Sequence, residues 1–286
     1  MSVGWRGRLR LDYRFEGEGA TPDRPARTVA QDRHEGPLRV LKPLYPEGPR
    51  ICHHIIVHPP GGVVGGDELH IDAQVGSDAH ALITTPGATR FYRSDGARAV
   101  QAVSLQLAAG ARLEWLPMEA IAYSGCRADS RLRAELAPGA EMIGWDVLAL
   151  GLGAAGQPFE KGWFGQHLEL PGVWLDRARI AGDDRSLLDG ALGWGGRPVL
   201  ATSWFAAGTA LAPERREAML QAGRDAIDPL PQGVSAGVTA PQAAVVVLRL
   251  LSPGVEPAMQ LLARVRQVWR RIAWGLAGNP PRIWRT

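Results

Sequence analysis

Cysteine is almost missing from this chain of 286 residues: Cys52 and Cys126 are the only two. A single pair cannot build a disulfide framework, so stability has to come from a packed core, and a reducing cytoplasm is the expected compartment. Lysine is as scarce, with Lys42 and Lys161 alone among 32 basic residues, so positive charge is carried almost wholly by arginine. The opening Met1-Ser-Val-Gly-Trp-Arg has no apolar stretch of the kind that addresses a chain for secretion, and no apolar run reaches spanning length, so no membrane is expected. Net charge is only +3. The arginines are scattered, without an aromatic-interleaved run or zinc-finger spacing, which speaks against a nucleic-acid partner and for acidic protein surfaces.

Nucleotide and hydrolase signatures are missing too. There is no Gly-x-x-x-x-Gly-Lys-Ser/Thr, and the run Gly61 to Gly66 is not set between a strand and a helix as a dinucleotide fingerprint requires. Gly233-Val-Ser-Ala-Gly237 spells a nucleophile elbow. That fold places its histidine after the serine, and no histidine follows His167. No catalytic constellation is left standing, so no enzyme and no bound nucleotide are expected.

What is plentiful is glycine (35), proline (22) and apolar surface (45%). These imply many turns, few long helices and a real core, hence a mostly β chain read as one domain over 1–286. From Trp5 the sequence alternates: Trp5, Leu9, Leu11, Tyr13 and Phe15 face one way, and Arg6, Arg8, Arg10, Asp12 and Arg14 the other, a half-buried antiparallel strand. Residues 16 to 28, with Gly17, Gly19, Pro22 and Pro25, read as a loop. Further strands are expected near 38–41 and 51–57.

Between 67 and 151 a unit of strand, small-residue turn and strand recurs. Its turn glycines are taken as Gly76, Gly110 and Gly139, 34 and 29 residues apart. A layered, β-helix-like stack of short strands explains the spacing, and an ordinary meander or sandwich explains it nearly as well. Later in the chain, Trp163, Trp174, Trp194 and Trp204 supply apolar bulk among short strands. Residues 243–251 read as an apolar strand buried on both faces. About two α-helices are expected near the C-terminus: Pro213 to Ala222, stopped by Gly223, and Glu256 to about Trp274. The second carries an apolar stripe opposite Arg264, Arg266, Arg270 and Arg271, a face open to a partner.

Two punctuated blocks stand out. His58-Pro59-Pro60-Gly61-Gly62-Val-Val-Gly65-Gly66-Asp67 precedes Thr84-Thr85-Pro86-Gly87-Ala-Thr-Arg-Phe-Tyr-Arg-Ser94, and both fix unusual backbone geometry. Around them lie candidate ligands. On a strand, Cys52, His54, Ile56 and His58 share one face, and a thiolate with imidazoles suits nickel or zinc. The alternative makes Cys52 a small buried apolar group and gives His58 a backbone partner. Asp67, Glu68, His70 and Asp72 form an acidic cluster that suits weak, successive cation contacts, although Asp67 can equally satisfy turn amides. A rival reading uses Asp67, His70 and His58 as an acid-base or metal-dependent enzyme site.

These blocks resemble the signature of the urease accessory protein UreD (UreH) family. So do Arg33-His-Glu-Gly-Pro-Leu-Arg-Val40, Leu44-Tyr-Pro-Glu-Gly48, Cys52-His53, Leu113-Glu-Trp-Leu-Pro117, Gly144-Trp-Asp-Val147 and the final Pro281-Arg-Ile-Trp-Arg-Thr286. The resemblance implies the stacked arrangement. It also implies a non-enzymatic scaffold chaperone that binds apo-urease with UreF and, through UreF, the GTPase UreG. Such a scaffold helps insert nickel into urease, by an internal tunnel lined with acidic groups in which Asp67 and Asp146 sit at matching positions. Glu68, Glu114, Glu119 and Glu160 are further candidates. Nickel would be held only in passing, and a homodimer of the heteromeric complex is compatible with the role.

Overall fold

A computed structural model of the chain describes residues 4–17, 20–21 and 25–285. Met1-Ser-Val, Gly19 and Pro22 of the expected loop, and Thr286 lie outside the described residues. Alternation produces β1 (Arg6–Glu16), with Leu9, Leu11 and Tyr13 buried and the arginines between them exposed. Trp5 falls before the strand and is exposed, so its ring does not join that buried row. Antiparallel to β1 runs β2 (Arg27–Glu35), whose first two residues fall in the loop expected over 16 to 28 and whose remainder, polar on both faces in its second half, carries no strand signal in the sequence. The short β3 (Arg39–Val40) pairs antiparallel with β4 (Ile51–Val57).

From there the chain winds into coils. The first comprises β5 (Gly62–Val63), β6 (Glu68–Val75), β7 (His80–Thr84) and β8 (Thr89–Phe91). The second holds β9 (Ala99–Leu107), β10 (Arg112–Leu116) and β11 (Ala120–Ala122), and the third β12 (Arg127–Leu136) and β13 (Glu141–Leu150) before β14 (Trp163–Leu170). Strands β6, β9, β12 and β14 stack in parallel on β1, so β1 is antiparallel on one side only. Opposite them β4, β7, β10 and β13 stack in parallel, and β5, β8 and β11 close a narrow third side. The result is a β-solenoid of about 4 turns.

The repeat is real, but its first turn is shifted from the expected one. The left-handed residues are Asp78, Gly110 and Gly139, 32 and 29 positions apart, and Asp78 is the one described non-glycine with positive φ. Gly76 is not left-handed. Ala79, Ala111 and Ala140 follow these turns, and all three are fully buried. A glycine count misses the repeat's first member because aspartate tolerates the same conformation.

After β14 the chain stops coiling. β15 (Trp174–Ala181) turns back antiparallel on β14, and α1 (Arg185–Asp189) follows as one capped turn that the sequence reading lacked. β16 (Val199–Ala207), α2 (Pro213–Ile227), β17 (Ser235–Gln242), β18 (Val245–Ser252) and α3 (Val255–Trp274) complete the chain. The extended sheets have orders β15-β14-β12-β9-β6-β1-β2 and β17-β18-β16-β13-β10-β7-β4-β3. One core fills the solenoid between the sheets; a second lies between the larger sheet and the helices α2 and α3.

Two helical expectations change. α2 runs through Gly223 instead of stopping there, because the glycine lies where a Cβ would press on Val238 at 3.1 Å and Trp269 at 3.2 Å. On α3, Arg266 and Arg270 are buried, 1% and 0% exposed, so only Arg264 and Arg271 remain on an open face. Both buried arginines reach Glu114 of β10, Arg266 Nε at 2.7 Å and Arg270 Nε at 3.1 Å. Arg270 also clasps Glu47 with two N–H groups at 2.6 and 2.9 Å, while His53 lies 2.9 Å from the same carboxylate. Burial opposes the charge on Glu47, but the bonds from His53 and Arg270 win and hold it down at about 2. Glu114, wholly buried, is likewise held well below the carboxylate range by Arg266, His80 and Arg270.

Candidate functional site

The two punctuated blocks are neighbours in space. Their short strands pair, Gly62 beside Arg90 and Val63 beside Phe91, and Tyr92 N–H donates to Val63 O at 2.9 Å. A side chain at Gly62 would meet the Tyr92 ring at 2.1 Å, which explains why glycine accompanies the aromatic block. Three further motif blocks gather at the start of the second one. Trp145 Nε1 donates to Pro117 O at 2.7 Å, Trp284 Nε1 donates to Thr84 Oγ1 at 2.8 Å, and the Trp145 and Trp284 rings lie 5.2 Å apart. Segments up to 200 residues apart thus form one junction.

Asp67 is buried at the head of β6. Its carboxylate accepts from Trp5 N–H at 2.8 Å and Val64 N–H at 2.9 Å, pinning the glycine turn to the chain's first strand. Glu68, His70 and Asp72 stand on the outer, solvent-facing side of the sheet. Glu68 lies 3.6 Å from Arg6 and 3.7 Å from His70, and Asp72 lies 3.7 Å from Arg8. His58 is half-buried beyond the end of β4, where burial lowers its pKa against the pull of Asp67. His70 therefore does not converge with Asp67 and His58. Glu119 is partly buried and Glu160 exposed, while Glu114 belongs to the buried arginine cluster.

Cys52 and His54 do share the inner face. Burial raises the Cys52 thiol to about 11, so it is protonated at neutral pH and a poor ligand. His54 Nδ1 lies 2.8 Å from Tyr13 Oη, and burial drops the imidazole to about 4. A depressed imidazole pKa stabilises the fold above the unfolded value near 6.5, and that contribution fades as pH falls from there to about 4. About 3 kcal/mol at most should be lost in this window. His54→Phe should flatten stability between pH 6.5 and 4, as read by urea unfolding at several pH values; an unchanged slope would refute the assignment.

Asp146 lies on β13, on the side of the strand that faces the solenoid interior, where it accepts from Gln166 Nε2 of β14 at 2.5 Å. Burial raises its carboxyl to about 6 although the Gln166 bond pulls the other way. In register beside it come Thr202 of β16 and then Arg249 of β18, which pairs with Asp176 of β15 across the gap between the sheets. Arg249, exposed in the middle of β18, breaks the expectation of an apolar strand buried on both faces over 243–251. Gln166, Asp176 and Arg249 line a cleft of about 790 Å³ at the open end of the sandwich, rimmed by Trp174, Leu175 and Leu192. Gln166 Oε1 and Thr202 Oγ1 are buried without a hydrogen-bond partner among the described residues. A polar row thus leads from that cleft toward Asp146. Apart from the Arg249 guanidinium, which pairs with Asp176, its members carry oxygen donors, and these suit brief contact with a divalent ion more than a permanent site. Among the described residues no group of three His, Cys, Asp or Glu side chains is arranged to hold a metal. The row was invisible in the sequence except for Asp146 itself, since Gln166, Asp176, Thr202 and Arg249 come from four strands.

No helix among the described residues is long and apolar enough to cross a membrane. Residues 6–285 match the family described as UreD urease accessory protein. The urease accessory protein UreD of Variovorax paradoxus is 56% identical over 284 residues, covering 99% of this chain and 100% of that protein. The counterpart from Leptothrix cholodnii is also 56% identical over 284 residues, and that from Methylibium petroleiphilum is 54% identical over 301. With the stacked coils, the paired glycine blocks and a match along nearly its whole length, this chain belongs to the UreD urease accessory protein family.

Proposed function

We propose that this protein is a urease maturation factor, a non-catalytic scaffold that binds apo-urease together with UreF and, through UreF, UreG, and assists nickel insertion. The observation that carries this is the family match over residues 6–285. The architecture is consistent with it: a rigid stack with large outward faces suits docking. The acid-base alternative gains no support, because Asp67 is engaged by two backbone N–H groups and His70 stands on the outer sheet face.

Within this reading nickel is cargo, and Asp146 is the residue best placed to meet it. A half-buried carboxylate raised to about 6 is mostly ionised at neutral pH, and among the described residues its hydrogen bond comes from the neutral Gln166 amide, so a passing cation is favoured there. Asp67, Glu68, His70, His58 and Cys52 have weaker claims on the geometry above. Asp146→Asn keeps the shape and removes the charge. The variant should still co-migrate with UreF and bind apo-urease, while nickel-dependent urease activation in a reconstituted mixture falls to a small fraction of the unaltered level. Full activation by the variant would eliminate the nickel role of Asp146. Failure of the unaltered protein to co-migrate with UreF at micromolar concentration would overturn the scaffold reading itself.

A further inference from the structure

Among the described residues nothing covers the outer face of the β1-side sheet, unlike its inner face. A concavity of about 880 Å³ lies there. Its floor is made of short side chains, Ala102 and Ser104 on β9 and Gly165 on β14. Register places His70 and Asp72 of β6 on one side of Ala102 and Ser104, and Arg131 and Arg133 of β12 on the other. Two strand spacings of about 4.8 Å separate these walls, enough for one extended backbone lying along β9.

The charge in this trough is unbalanced. Five arginines, Arg98, Arg131, Arg133, Arg177 and Arg179, line it against three acids, Asp72, Asp129 and Glu169, and Arg133 is also paired with Glu135 at its edge. Arg98 and Arg131 share the single carboxylate of Asp129, at 3.0 and 3.2 Å. The Arg179 guanidinium carbon lies over the Trp163 ring, 4.2 Å from its centre, and no carboxylate partner is found for it or for Arg177 among the described residues. Each guanidinium carries five N–H donors, so most of that donor capacity points at solvent.

We propose that this trough binds an extended, carboxylate-rich segment of a partner protein. The small floor admits a backbone, the arginine excess supplies forks for its carboxylates, and resident Asp72, Asp129 and Glu169 set the register by repulsion. The one tryptophan lining the trough, Trp163, is occupied by Arg179, so its indole is not free as a base-stacking platform for single-stranded nucleic acid.

The test measures fluorescence anisotropy of a labelled hexaglutamate peptide on the full chain at low salt, with an oligothymidylate of equal charge in parallel. The unaltered protein should favour the peptide. R131E/R177E should weaken it roughly tenfold or more, whereas R264E/R271E, reversing the same charge on α3, should not. A102L fills the floor without altering charge and should also weaken binding, with circular dichroism confirming that each variant is folded. Equal loss in the two double variants, unchanged affinity in R131E/R177E, or tighter binding of the oligothymidylate would each overturn the proposal.

Discussion

Glu114→Ala is expected to lower the unfolding free energy by about 3–5 kcal/mol, the cost of leaving buried guanidinium groups without their counter-charge. Arg266 and Arg270 both rest on this carboxylate, and both come from α3, more than 150 residues further along the chain. Arg266 also donates to the Gly278 and Asn279 carbonyls at 3.3 and 3.1 Å, so the cluster fixes the end of the chain as well as the helix. The urea midpoint should fall at an unchanged denaturant slope. Replacing Glu114, Arg266 and Arg270 together by leucine and methionines should recover only part of the loss, because an apolar core then replaces the charges around Glu114 while Glu47 loses its Arg270 partner. A single-variant loss under about 1 kcal/mol would mean that water reaches the cluster. Acid should act on the same cluster: carboxylates held low contribute stability above about pH 4.5 that disappears as pH falls toward 2, a window below that of His54.

Gly144→Ala is the second large effect. Gly144 sits mid-strand in β13, where a Cβ would lie 2.3 Å from the Trp204 ring, which is itself fully buried on the neighbouring β16. No rotamer of an alanine relieves this, and Trp204 is packed against Trp174 at 5.9 Å between ring centres. The variant should lose about 1–3 kcal/mol, the usual range for overpacking, and valine more. Trp204→Leu in the same chain should offset part of the defect by making room. A Gly144→Ala protein as stable as its parent, measured by urea unfolding, would show that the ring can move freely.

These two sites show where sequence reading succeeds and where it stops. Alternation in β1 was legible because one face meets the core and the other meets water. The coil repeat was legible in outline, yet its first turn hid behind Asp78, since nothing in composition says which polar residue adopts a left-handed backbone. The helix at 255–274 was placed to within a residue, but Arg266 and Arg270 looked solvent-facing because a guanidinium's partner can lie anywhere in the chain. Glu114 carried no local sign of being that partner. The motif blocks were recognisable individually, whereas their junction through Trp145, Trp284 and Thr84 required the fold. For the candidate site, Asp146 was singled out, while Thr202, Gln166, Asp176 and Arg249 have no shared spacing that a linear reading detects.

The reversal of strand direction at both ends of the stack has a consequence for size. Parallel rungs offer an open template at each terminus, and a winding chain of this kind would otherwise recruit copies of itself into a fibre. Here β2 closes one end with a charged, antiparallel strand, and β15 closes the other on the same sheet. The number of rungs is thereby frozen. Since each adds about 4.8 Å, the distance between the two capped ends is set by the fold alone.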